Sequence, residues 1–383
     1  MNIIYILKSF AQLAGTERVV ADKINYLAGK GYRITLVTYE QGNHPIAYQL
    51  HPTVKHIDLD TRFFTLYRHS LLTRSYYYIK LKKIFRKKLQ EIVRNQNPDY
   101  IITTTYSLKV INDILKVKGY AKTIIESHVS HDSVMRHYDF KRNSLSRYFF
   151  KLYDINNLRT LRMFNAFVAL TREDARQWEK SGLKVTVIPN PVTKYPESLN
   201  TDKTCTKRII AVGRLNHQKG FDKLIDAFSL ICDKHPLWRI DIFGQGELEK
   251  ELNCQIINKG LEEKVTIHQP TKDIYREYLR SNFYVLSSKF EGFGLVLIEA
   301  MSCGLPVVAF NCPYGPNEII SDKKDGLLVQ NGNINQLSEK MEWLMTHEAE
   351  RTKMGIQARI SAKRYEISNI MAIWEALFKN GLK

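Results

Sequence analysis

Short runs of apolar, β-branched residues alternate with helix-like patterns along both halves of the chain. The strand-like run Ile3–Leu7 is followed by a helical pattern at Glu17–Lys30 and by a second strand-like run at Arg33–Thr38. A strand, a crossover helix and a second strand form the unit from which parallel sheets are built. A similar series starts at Arg208–Val212 and continues to Leu327–Val329. The pattern predicts an α/β fold of two Rossmann-like, doubly wound domains with a cleft between them.

A polar stretch at residues 191–207 separates the two series. It contains two prolines and shows no hydrophobic periodicity, as is typical of a linker. We therefore predict one Rossmann-like domain at residues 1–190 and a second at residues 208–360. A chain of 383 residues is long enough for two domains, each with its own hydrophobic core.

The positive charge of the chain is concentrated in its first half. The net charge is +18, and residues 1–190 hold 31 Lys and Arg against 15 Asp and Glu. Residues 191–383 hold the other 26 basic residues against 24 acidic ones. Such an excess implies an anionic partner, which is a nucleic acid, an acidic lipid surface or a polyanionic substrate.

The cysteines and the N-terminus favour a cytoplasmic protein. All five cysteines lie in the second half without a C-x-x-C pair, which argues against a disulfide framework or a zinc site. Met1–Leu7 lacks a preceding basic segment and predicts a buried strand rather than a secretory signal. No stretch approaches the roughly 18 apolar residues of a membrane-spanning helix. We expect a cytosolic protein, or one that lies on a membrane without crossing it.

Two cations follow a strand-like run at the start of the second domain. Gly213 and Arg214 come directly after Arg208–Val212, and Lys219 follows just before a helical pattern. The carboxyl end of a buried strand beside a helix N-terminus is where α/β sheets bind phosphate groups. Arg offers a planar fork of donors and Lys a compact charge, which together suit a diphosphate. The alternative is a surface loop with two solvated cations.

Two carboxylates lie eight residues apart in the segment SSKFEGFGLVLIEAMSCGLPVVA. Glu291 precedes a glycine-containing loop, and Glu299 falls inside a helix that is predicted to start near Gly294. Carboxylates accept hydrogen bonds from sugar hydroxyls, and small loop residues leave backbone amides free for phosphate oxygens. The spacing alone is common, but its position between two strand-like runs favours a binding site.

These motifs together resemble glycosyltransferase family 4, a family of retaining enzymes with the two-domain GT-B fold. The resemblance is carried, in the family's order, by VGRLNHQKGFDKLIDAF, IFGQGELEKEL, SSKFEGFGLVLIEAMSCGLPVVAF, GPNEII and DGLLVQNGN. It extends more weakly to the first half through AGTERVVADKINYLAGKGYRITLVT and IIESHVSH. It also implies that residues 361–383 form a C-terminal helix that crosses back to the first domain.

The resemblance implies roles for residues of the second domain. Arg214 and Lys219 would bind the donor diphosphate and stabilise the negative charge that develops on it as its bond to the sugar breaks. Glu291 would act near the transferred sugar, and Glu299 would hold the ribose. The other residues expected to bind the donor are Gly213, Phe293, Gly294 and Leu295.

Three residues of the first domain also match the family. Gly15 and Thr16 match its N-terminal glycine loop, which approaches the donor phosphate, and Ala14 stands where the family often has a further glycine. His128 matches the histidine at the end of a first-domain strand. It would hydrogen-bond the transferred sugar or the leaving side of the donor, and His131 is the competing candidate.

We expect no metal or other cofactor beside the donor, for which we favour a UDP-sugar. Asp58 and Asp60 form a D-x-D pair, which in the other glycosyltransferase fold holds a divalent cation. They follow a short strand-like run rather than a nucleotide-binding loop. Arg214 and Lys219 would supply the positive charge instead.

The segment Arg62–Arg94 combines positive charge with aromatic residues. It holds ten Lys and Arg with one acidic residue, and apolar residues recur at helical spacing from Leu81 onward. Three interpretations stay open: docking on an anionic membrane, a core-packed helix with a solvated face, and nucleic-acid binding. The basic, aromatic segment Arg136–Arg162 would add to the same surface. The residues expected to project outward are Lys80, Lys82, Lys83, Arg86, Lys87 and Lys88.

We therefore expect a retaining glycosyltransferase that moves a hexose or N-acetylhexosamine from a nucleotide-diphosphate donor. The expected acceptor is a lipid-linked glycan or polysaccharide precursor, met at the inner face of the cell membrane. One alternative is a transferase with a soluble small-molecule acceptor. A second is a non-catalytic protein that binds an anionic surface.

Overall fold

The computed structural model describes residues 1–11, 14–68, 70–135, 154–192, 194–197, 207–271 and 273–379. Most of the predicted linker 191–207 and of the basic segment Arg136–Arg162 lies outside these described residues. The chain divides into two compact units. The first comprises Met1–Pro189 with the C-terminal residues from Ile370 onward, and the second comprises Asn190–Asn369.

A seven-stranded parallel sheet forms the centre of the first unit. In chain order its strands are β1 (Asn2–Leu7), β2 (Arg33–Thr38), β3 (Lys55–Asp58), β4 (Tyr100–Thr104), β5 (Lys122–Glu126), β6 (Ala166–Ala169) and β7 (Val185–Val187). In space the order is β3-β2-β1-β4-β5-β6-β7. Ile3 pairs with Ile34 on one side and with Tyr100 on the other, so β1 is an interior strand. Because the strands are parallel, their carboxyl ends meet at one edge of the sheet.

Helices cover this sheet and complete its core. Val20, Ile24 and Leu27 are buried on one face of the helix Gly15–Gly29, because residues three and four apart share a helix face. The helix ends before Gly31, whose φ of +83° glycine adopts without strain. The described helices of this unit include Gly15–Gly29, Leu71–Gln96, Ile111–Val117, His131–Met135 and Arg172–Lys180.

The C-terminal helix Ile367–Lys379 contributes to the first unit from Ile370 onward. Its buried residues are Ile370, Met371, Trp374 and Phe378. The hydroxyl of Tyr100 on β4 donates a hydrogen bond of 2.8 Å to the carbonyl of Phe378, and the two rings lie 4.9 Å apart. The end of the chain therefore completes the core beside β4.

A six-stranded parallel sheet forms the centre of the second unit. Its strands are β8 (Arg208–Val212), β9 (Arg239–Phe243), β10 (Val265–His268), β11 (Phe283–Leu286), β12 (Val307–Phe310) and β13 (Gly326–Val329). Their order in space is β10-β9-β8-β11-β12-β13. The described helices of this unit include Phe221–Ser229, Glu249–Asn258, Ile274–Leu279, Leu295–Ser302, Pro316–Ile319, Ile334–Thr346 and Glu348–Ala362.

The predicted α/β class with two doubly wound parallel sheets is confirmed. The strand-like runs predicted at Arg33–Thr38 and Arg208–Val212 have the bounds that the structure gives them. Short apolar runs are well predicted here because a strand that is covered on both faces by helices needs continuous apolar sequence. Among the described residues, no helix has the length and apolar character that crossing a bilayer requires.

Candidate functional site

The loop after β8 packs its backbone directly on the loop after β9. The amide of Gly213 donates to the carbonyl of Phe243 at 3.0 Å, and the amide of Leu215 donates to the carbonyl of Gln245 at 2.9 Å. A Cβ atom added to Gly244 would lie 1.9 Å from the carbonyl oxygen of Gly213. Only glycine allows this approach, so the sequence IFGQG holds the Arg214 loop at the carboxyl edge of the sheet.

Lys219 is held in place by its backbone and by its side chain. Its amide donates to Asn216, and its carbonyl accepts a hydrogen bond of 2.9 Å from the hydroxyl of Ser287. The aliphatic part of its side chain covers Gly213, where an added Cβ atom would lie 3.0 Å from Lys219 Cε. Its ammonium lies 2.7 Å from Oε1 of Glu291. The structure thus joins two residues that are 72 positions apart and were both predicted for the site.

Arg214 lies in the same loop in a different environment. Its side chain is exposed, and it forms no ion pair with any residue that the structure describes. Its charge is therefore available to an anionic ligand, whereas the charge of Lys219 is shared with Glu291. Among the described residues, the loop thus has one cation without an ion pair and one cation that is partly neutralised.

Glycines also shape the loop that carries Glu291 and Phe293. Gly294 has a φ of +97° and directly precedes the helix Leu295–Ser302. A Cβ atom added to Gly315 would lie 1.9 Å from the carbonyl oxygen of Phe293, and φ at Gly315 is +131°. The amide of Glu291 donates to the carbonyl of Pro313 at 3.1 Å. The GPNEII segment therefore braces the Glu291 loop through close backbone contact.

Glu299 is the fifth residue of the helix Leu295–Ser302 and is buried. The hydroxyl of Tyr278 donates to its Oε2 at 3.3 Å. The hydroxyl of Tyr284 donates to the carbonyl of Val212 at 3.3 Å. Burial raises the pKa of Tyr284 well above its ordinary value, and the negative charges of Glu291 and Glu299 raise it further. Glu291 and Glu299 thus both raise the pKa of Tyr284, whose hydroxyl donates to the end of β8.

Several residues of this site were not predicted from the sequence. Tyr278 and Ser287 hydrogen-bond to the predicted residues Glu299 and Lys219, and Tyr284 hydrogen-bonds to the end of β8, but in the sequence all three look like ordinary core or loop positions. A weak signal existed for Tyr284, since a tyrosine inside the fully buried run FYVL needs a partner for its hydroxyl. Gly244 and Gly315 lie in recognised motifs, but their close backbone contacts appear only in the folded unit.

His128 belongs to the first unit, two residues beyond the end of β5. Its imidazole is buried, and its Nε2 lies 3.1 Å from Oε2 of Glu126. Its Nδ1 is buried and has no hydrogen-bond partner in the described structure. The ring nitrogens of His131, by contrast, both have partners, at 3.3 Å on Asp132 and 3.1 Å on Ser181.

Gly15 and Thr16 are the first two residues of the helix Gly15–Gly29. Gly15 is exposed, and Ala14 before it has the extended conformation of an N-cap residue. The carbonyl of Ala14 accepts hydrogen bonds from the amide of Arg18 and the hydroxyl of Tyr48. The predicted glycine loop is therefore a helix N-terminus that follows the carboxyl end of β1, a position that attracts anions.

The D-x-D pair is engaged within the first unit. Asp58 accepts hydrogen bonds from the hydroxyl of Thr38 at 2.9 Å and from the amide of Gly42 at 3.0 Å. Asp60 forms an ion pair with Arg62. These contacts give both carboxylates a role in the local loop structure.

The helix Leu71–Gln96 presents a basic and aromatic surface. Tyr76, Lys80, Lys83 and Lys87 are exposed and recur every three or four residues, so they share one face. Phe64, Tyr67 and Ile79 are exposed nearby along the chain. We call these seven residues the basic–aromatic surface.

The structure corrects the expected outward orientation of two of the six basic residues of this helix. Lys82 and Arg86 turn toward the buried carboxylate of Asp113, at 3.0 and 2.6 Å. A buried carboxylate requires such partners because its desolvation is costly. Lys80, Lys83, Lys87 and Lys88 are exposed as expected, although Lys88 also donates to the carbonyl of Leu59 at 2.6 Å.

Two family models match the chain in succession. Residues 13–194 match the model described as Glycosyltransferase Family 4, and residues 194–361 match the model described as Glycosyl transferases group 1. They meet close to the boundary of the two units at Asn190.

Several curated relatives are named as glycosyltransferases. An uncharacterized glycosyltransferase of Haemophilus influenzae is 27% identical over 97% of this chain and 98% of its own length. The poly(ribitol-phosphate) alpha-N-acetylglucosaminyltransferase of Staphylococcus aureus is 31% identical over 46% of this chain. The match spans 36% of that enzyme, so this chain resembles only part of it.

Solved structures share the fold over the whole chain. The crystal structure of TarM superposes with a TM-score of 0.79 at 17% identity, covering 98% of both chains. A variant of Staphylococcus aureus TarM in complex with fondaparinux, alpha-GlcNAc-glycerol and UDP gives a TM-score of 0.76 at 16% identity, covering 98% of this chain and 99% of that one. At such identities the likeness concerns the fold. Because the two family models together account for residues 13–361, the chain belongs to glycosyltransferase family 4, with the GT-B fold.

Proposed function

We propose that this glycosyltransferase moves a hexose or N-acetylhexosamine from a UDP-sugar to a lipid-linked glycan or polysaccharide precursor, with retention of the anomeric configuration. The observation that supports this best is the pairing of Lys219 with Glu291 at 2.7 Å, beside the exposed cation of Arg214. The unpaired Arg214 suits a diphosphate, and the pair of Lys219 with Glu291 suits the junction between a diphosphate and a polar sugar.

The chemistry follows from where charge develops. As the bond between the anomeric carbon and the diphosphate breaks, negative charge grows on the leaving oxygens, and Arg214 and Lys219 stabilise it. Loss of one such contact lowers the turnover number by about 10²–10³. Glu291 pairs with Lys219 and is proposed to accept a hydrogen bond from a sugar hydroxyl. In this proposal the two side chains supply the positive charge, so no metal ion takes part.

Uridine is proposed as the base because a TarM variant of the same fold is in complex with UDP. The N-acetylhexosamine is supported by the Staphylococcus aureus relative, whose name states that it transfers N-acetylglucosamine. Glu299 is proposed to hold the ribose, since it is a buried carboxylate fixed by Tyr278.

The proposed acceptor rests on charge. The first half of the chain is strongly basic, and the basic–aromatic surface exposes aromatic rings beside lysines. Aromatic residues favour the interfacial region of a membrane, and each lysine near an anionic surface contributes about 1 kcal/mol. A lipid-linked or polyanionic acceptor at a membrane surface would explain both features. A soluble acceptor is the alternative, and it leaves the exposed rings unexplained.

Two assays test the proposal together. A panel of nucleotide sugars is screened by thermal shift, because a ligand that binds only the folded state raises the melting temperature. Release of UDP from the stabilising donor is then measured with and without membrane extract that contains lipid-linked acceptors. We expect a UDP-hexose or UDP-N-acetylhexosamine to stabilise the protein, and the extract to accelerate UDP release. Stabilisation by no nucleotide sugar, or by a non-uridine donor, would contradict the donor assignment.

A further inference from the structure

Three charged or polar side chains form a closed cluster inside the first unit. The side chains of Lys23, Glu126 and His128 are each at most 2% exposed. Such residues are rarely buried unless they are paired. They come from two elements, since Lys23 lies on the helix Gly15–Gly29 and Glu126 ends β5. The cluster does not include the loop of Arg214 and Lys219, which belongs to the second unit.

One oxygen atom links the cluster. Oε2 of Glu126 accepts a hydrogen bond of 2.6 Å from Nζ of Lys23 and lies 3.1 Å from Nε2 of His128. The ammonium of Lys23 also lies 3.8 Å from the centre of the Trp374 ring, which covers it from the C-terminal helix. The cluster therefore ties together the helix that begins at Gly15, the strand end that precedes His128, and the C-terminal helix.

The charge of Glu126 determines which nitrogen of His128 carries a proton. Burial alone would raise the pKa of Glu126, but the charge of Lys23 and the hydrogen bond from His128 lower it to about 2. An ionised carboxylate only accepts hydrogen bonds. Nε2 of His128 must therefore be the donor, and in the neutral ring Nδ1 keeps its lone pair.

That lone pair has no partner in the part of the chain that the structure describes, although Nδ1 is fully buried. A buried acceptor without a hydrogen bond costs desolvation free energy. A hydroxyl donor that arrives with a ligand would recover this cost. The second ring nitrogen is thus prepared for a donor group that the protein itself does not supply.

We propose that Glu126, held by Lys23, is a positioning residue that fixes His128 with Nε2 protonated and presents Nδ1 as the acceptor for a hydroxyl of the transferred sugar. This inference rests on the proposed function, since it assigns a substrate group to His128. Glu126 and Lys23 touch no substrate and act through the orientation and tautomer of the histidine. The same arrangement fixes the start of the Gly15 helix relative to His128, because Lys23 is part of that helix.

A purely structural ion pair is the competing explanation, and a double-mutant cycle separates the two. Hydrolysis of UDP-N-acetylglucosamine and of UDP-glucose to UDP and free sugar is measured without acceptor for the wild type, Glu126→Gln, His128→Ala and the double variant. We expect Glu126→Gln to lower kcat about tenfold with little change in KM, as when the partner that orients a histidine is lost. In the His128→Ala background the same substitution should change kcat less than about twofold.

Two variants guard against loss of folding. Lys23→Met combined with Glu126→Gln removes both buried charges, a replacement that proteins commonly tolerate. It should fold and show the same loss of kcat as Glu126→Gln. Asp113→Asn serves as the matched control, because it removes another buried carboxylate of the same unit that pairs with Lys82 and Arg86 but contacts no histidine in the described structure. It should leave hydrolysis unchanged.

A spectroscopic readout decides the point without any substrate. Long-range ¹H–¹⁵N correlation spectra of the full chain, labelled with ¹⁵N-histidine, show which ring nitrogen of His128 carries the proton. The signal of His128 is identified by its absence in His128→Ala. We expect a single Nε2–H tautomer in the wild type and a mixture of tautomers in Glu126→Gln. An Nδ1–H tautomer in the wild type, or identical spectra in both proteins, would overturn the proposal.

The outcomes also separate this inference from the proposed function. If UDP binds and depends on Arg214, while Glu126→Gln lowers kcat equally in both backgrounds, the positioning role is refuted and the function stands. If no UDP-sugar binds or is hydrolysed, the proposed donor is refuted, and the tautomer spectra still test the Glu126–His128 relationship.

Discussion

The ammonium nitrogen of Lys219 lies 2.7 Å from a carboxylate oxygen of Glu291, and both side chains are largely shielded from solvent. This ion pair closes over Gly213 at the carboxyl end of β8. If a diphosphate binds this loop as proposed, it would share Lys219 with Glu291, whereas Arg214 is exposed and forms no ion pair with any described residue. On the proposed function, the ion pair would therefore oppose binding of the nucleotide, while Glu291 would assist the reaction of the sugar.

Replacing Glu291 by Gln is expected to tighten the binding of UDP. The substitution releases Lys219 from its carboxylate and removes a negative charge near the phosphates, an effect of about 1 kcal/mol or roughly fivefold in Kd. Turnover of the UDP-sugar should fall, because Glu291 is also proposed to act on the sugar. Calorimetric titration with UDP measures the first effect. Glu342→Gln is the control, since it removes a carboxylate that is paired with His235 at a more exposed position. If Glu291→Gln instead binds UDP more weakly than the wild type, Glu291 does not compete with UDP for Lys219.

Glu299→Gln is expected to weaken UDP binding without affecting pyrophosphate binding. The proposed contact of Glu299 is to the ribose, which pyrophosphate lacks, so only the nucleoside part of the affinity should fall, by about 1–3 kcal/mol. Arg214→Ala should instead weaken both ligands. If Glu299→Gln loses equal affinity for UDP and for pyrophosphate, Glu299 contacts the phosphates rather than the ribose.

Gly315→Ala is expected to destabilise the second unit by more than about 3 kcal/mol, because both the positive φ and the added methyl group are unfavourable. The methyl group would lie 1.9 Å from the carbonyl oxygen of Phe293. Gly260 provides the matched control, with a φ of +64° but no atom within 4 Å of an added Cβ. Its replacement by Ala should cost about 1 kcal/mol. Urea unfolding of both variants tests the difference, and similar midpoints would show that the close backbone contact is unimportant.

The buried Glu126 should make the first unit sensitive to acid. The folded-state pKa of Glu126 is lowered from 4.5 to about 2, so the unfolded chain takes up the proton first as the pH falls. The stabilisation is complete above about pH 5 and is lost progressively as the pH falls toward 2, an effect on the order of 3 kcal/mol. Denaturant unfolding between pH 3 and 6 measures it. The variant that combines Lys23→Met with Glu126→Gln should show a flatter dependence, and an equal slope would contradict the assignment.

The basic–aromatic surface is expected to bind anionic vesicles. Replacing Lys80, Lys83 and Lys87 by Gln should weaken binding to phosphatidylglycerol vesicles at low salt by about a hundredfold, as measured by co-sedimentation, at roughly 1 kcal/mol per lysine. The control replaces three exposed lysines of the second unit with the same change in charge, at Lys323, Lys324 and Lys353. Equal losses in both triple variants would show a general charge effect, and binding that ignores the anionic lipid fraction would refute membrane docking.

The sequence predicts the fold and the second-unit motifs well because the signals there are local. A strand such as Arg239–Phe243 is marked by its own apolar residues, and the position of Glu299 inside a helix follows from the glycine before that helix. The pairing of Lys219 with Glu291 joins residues from different loops, so the motifs predict that both belong to the site but not that they touch.

The buried ion pairs of the first unit could not be predicted from the local sequence. Lys23 has the sequence context of a solvated helix lysine, yet it is buried against Glu126, 103 residues away. Lys82 and Arg86 read as outward-facing charges, but Asp113 from a separate helix draws them inward. Such ion pairs depend on which distant carboxylate the fold brings near. Helical periodicity does not predict which carboxylate that is.

The binding of UDP to Arg214→Ala and Lys219→Ala tests the central claim most directly. Each purified variant is melted with and without saturating UDP, and the Kd is measured by calorimetry. We predict that both variants unfold cooperatively, lose most of the UDP-induced rise in melting temperature, and bind UDP at least about tenfold more weakly, as expected for the loss of a charged contact to phosphate. If UDP raises the melting temperature of both variants as much as that of the wild type, the diphosphate is not held by these two side chains.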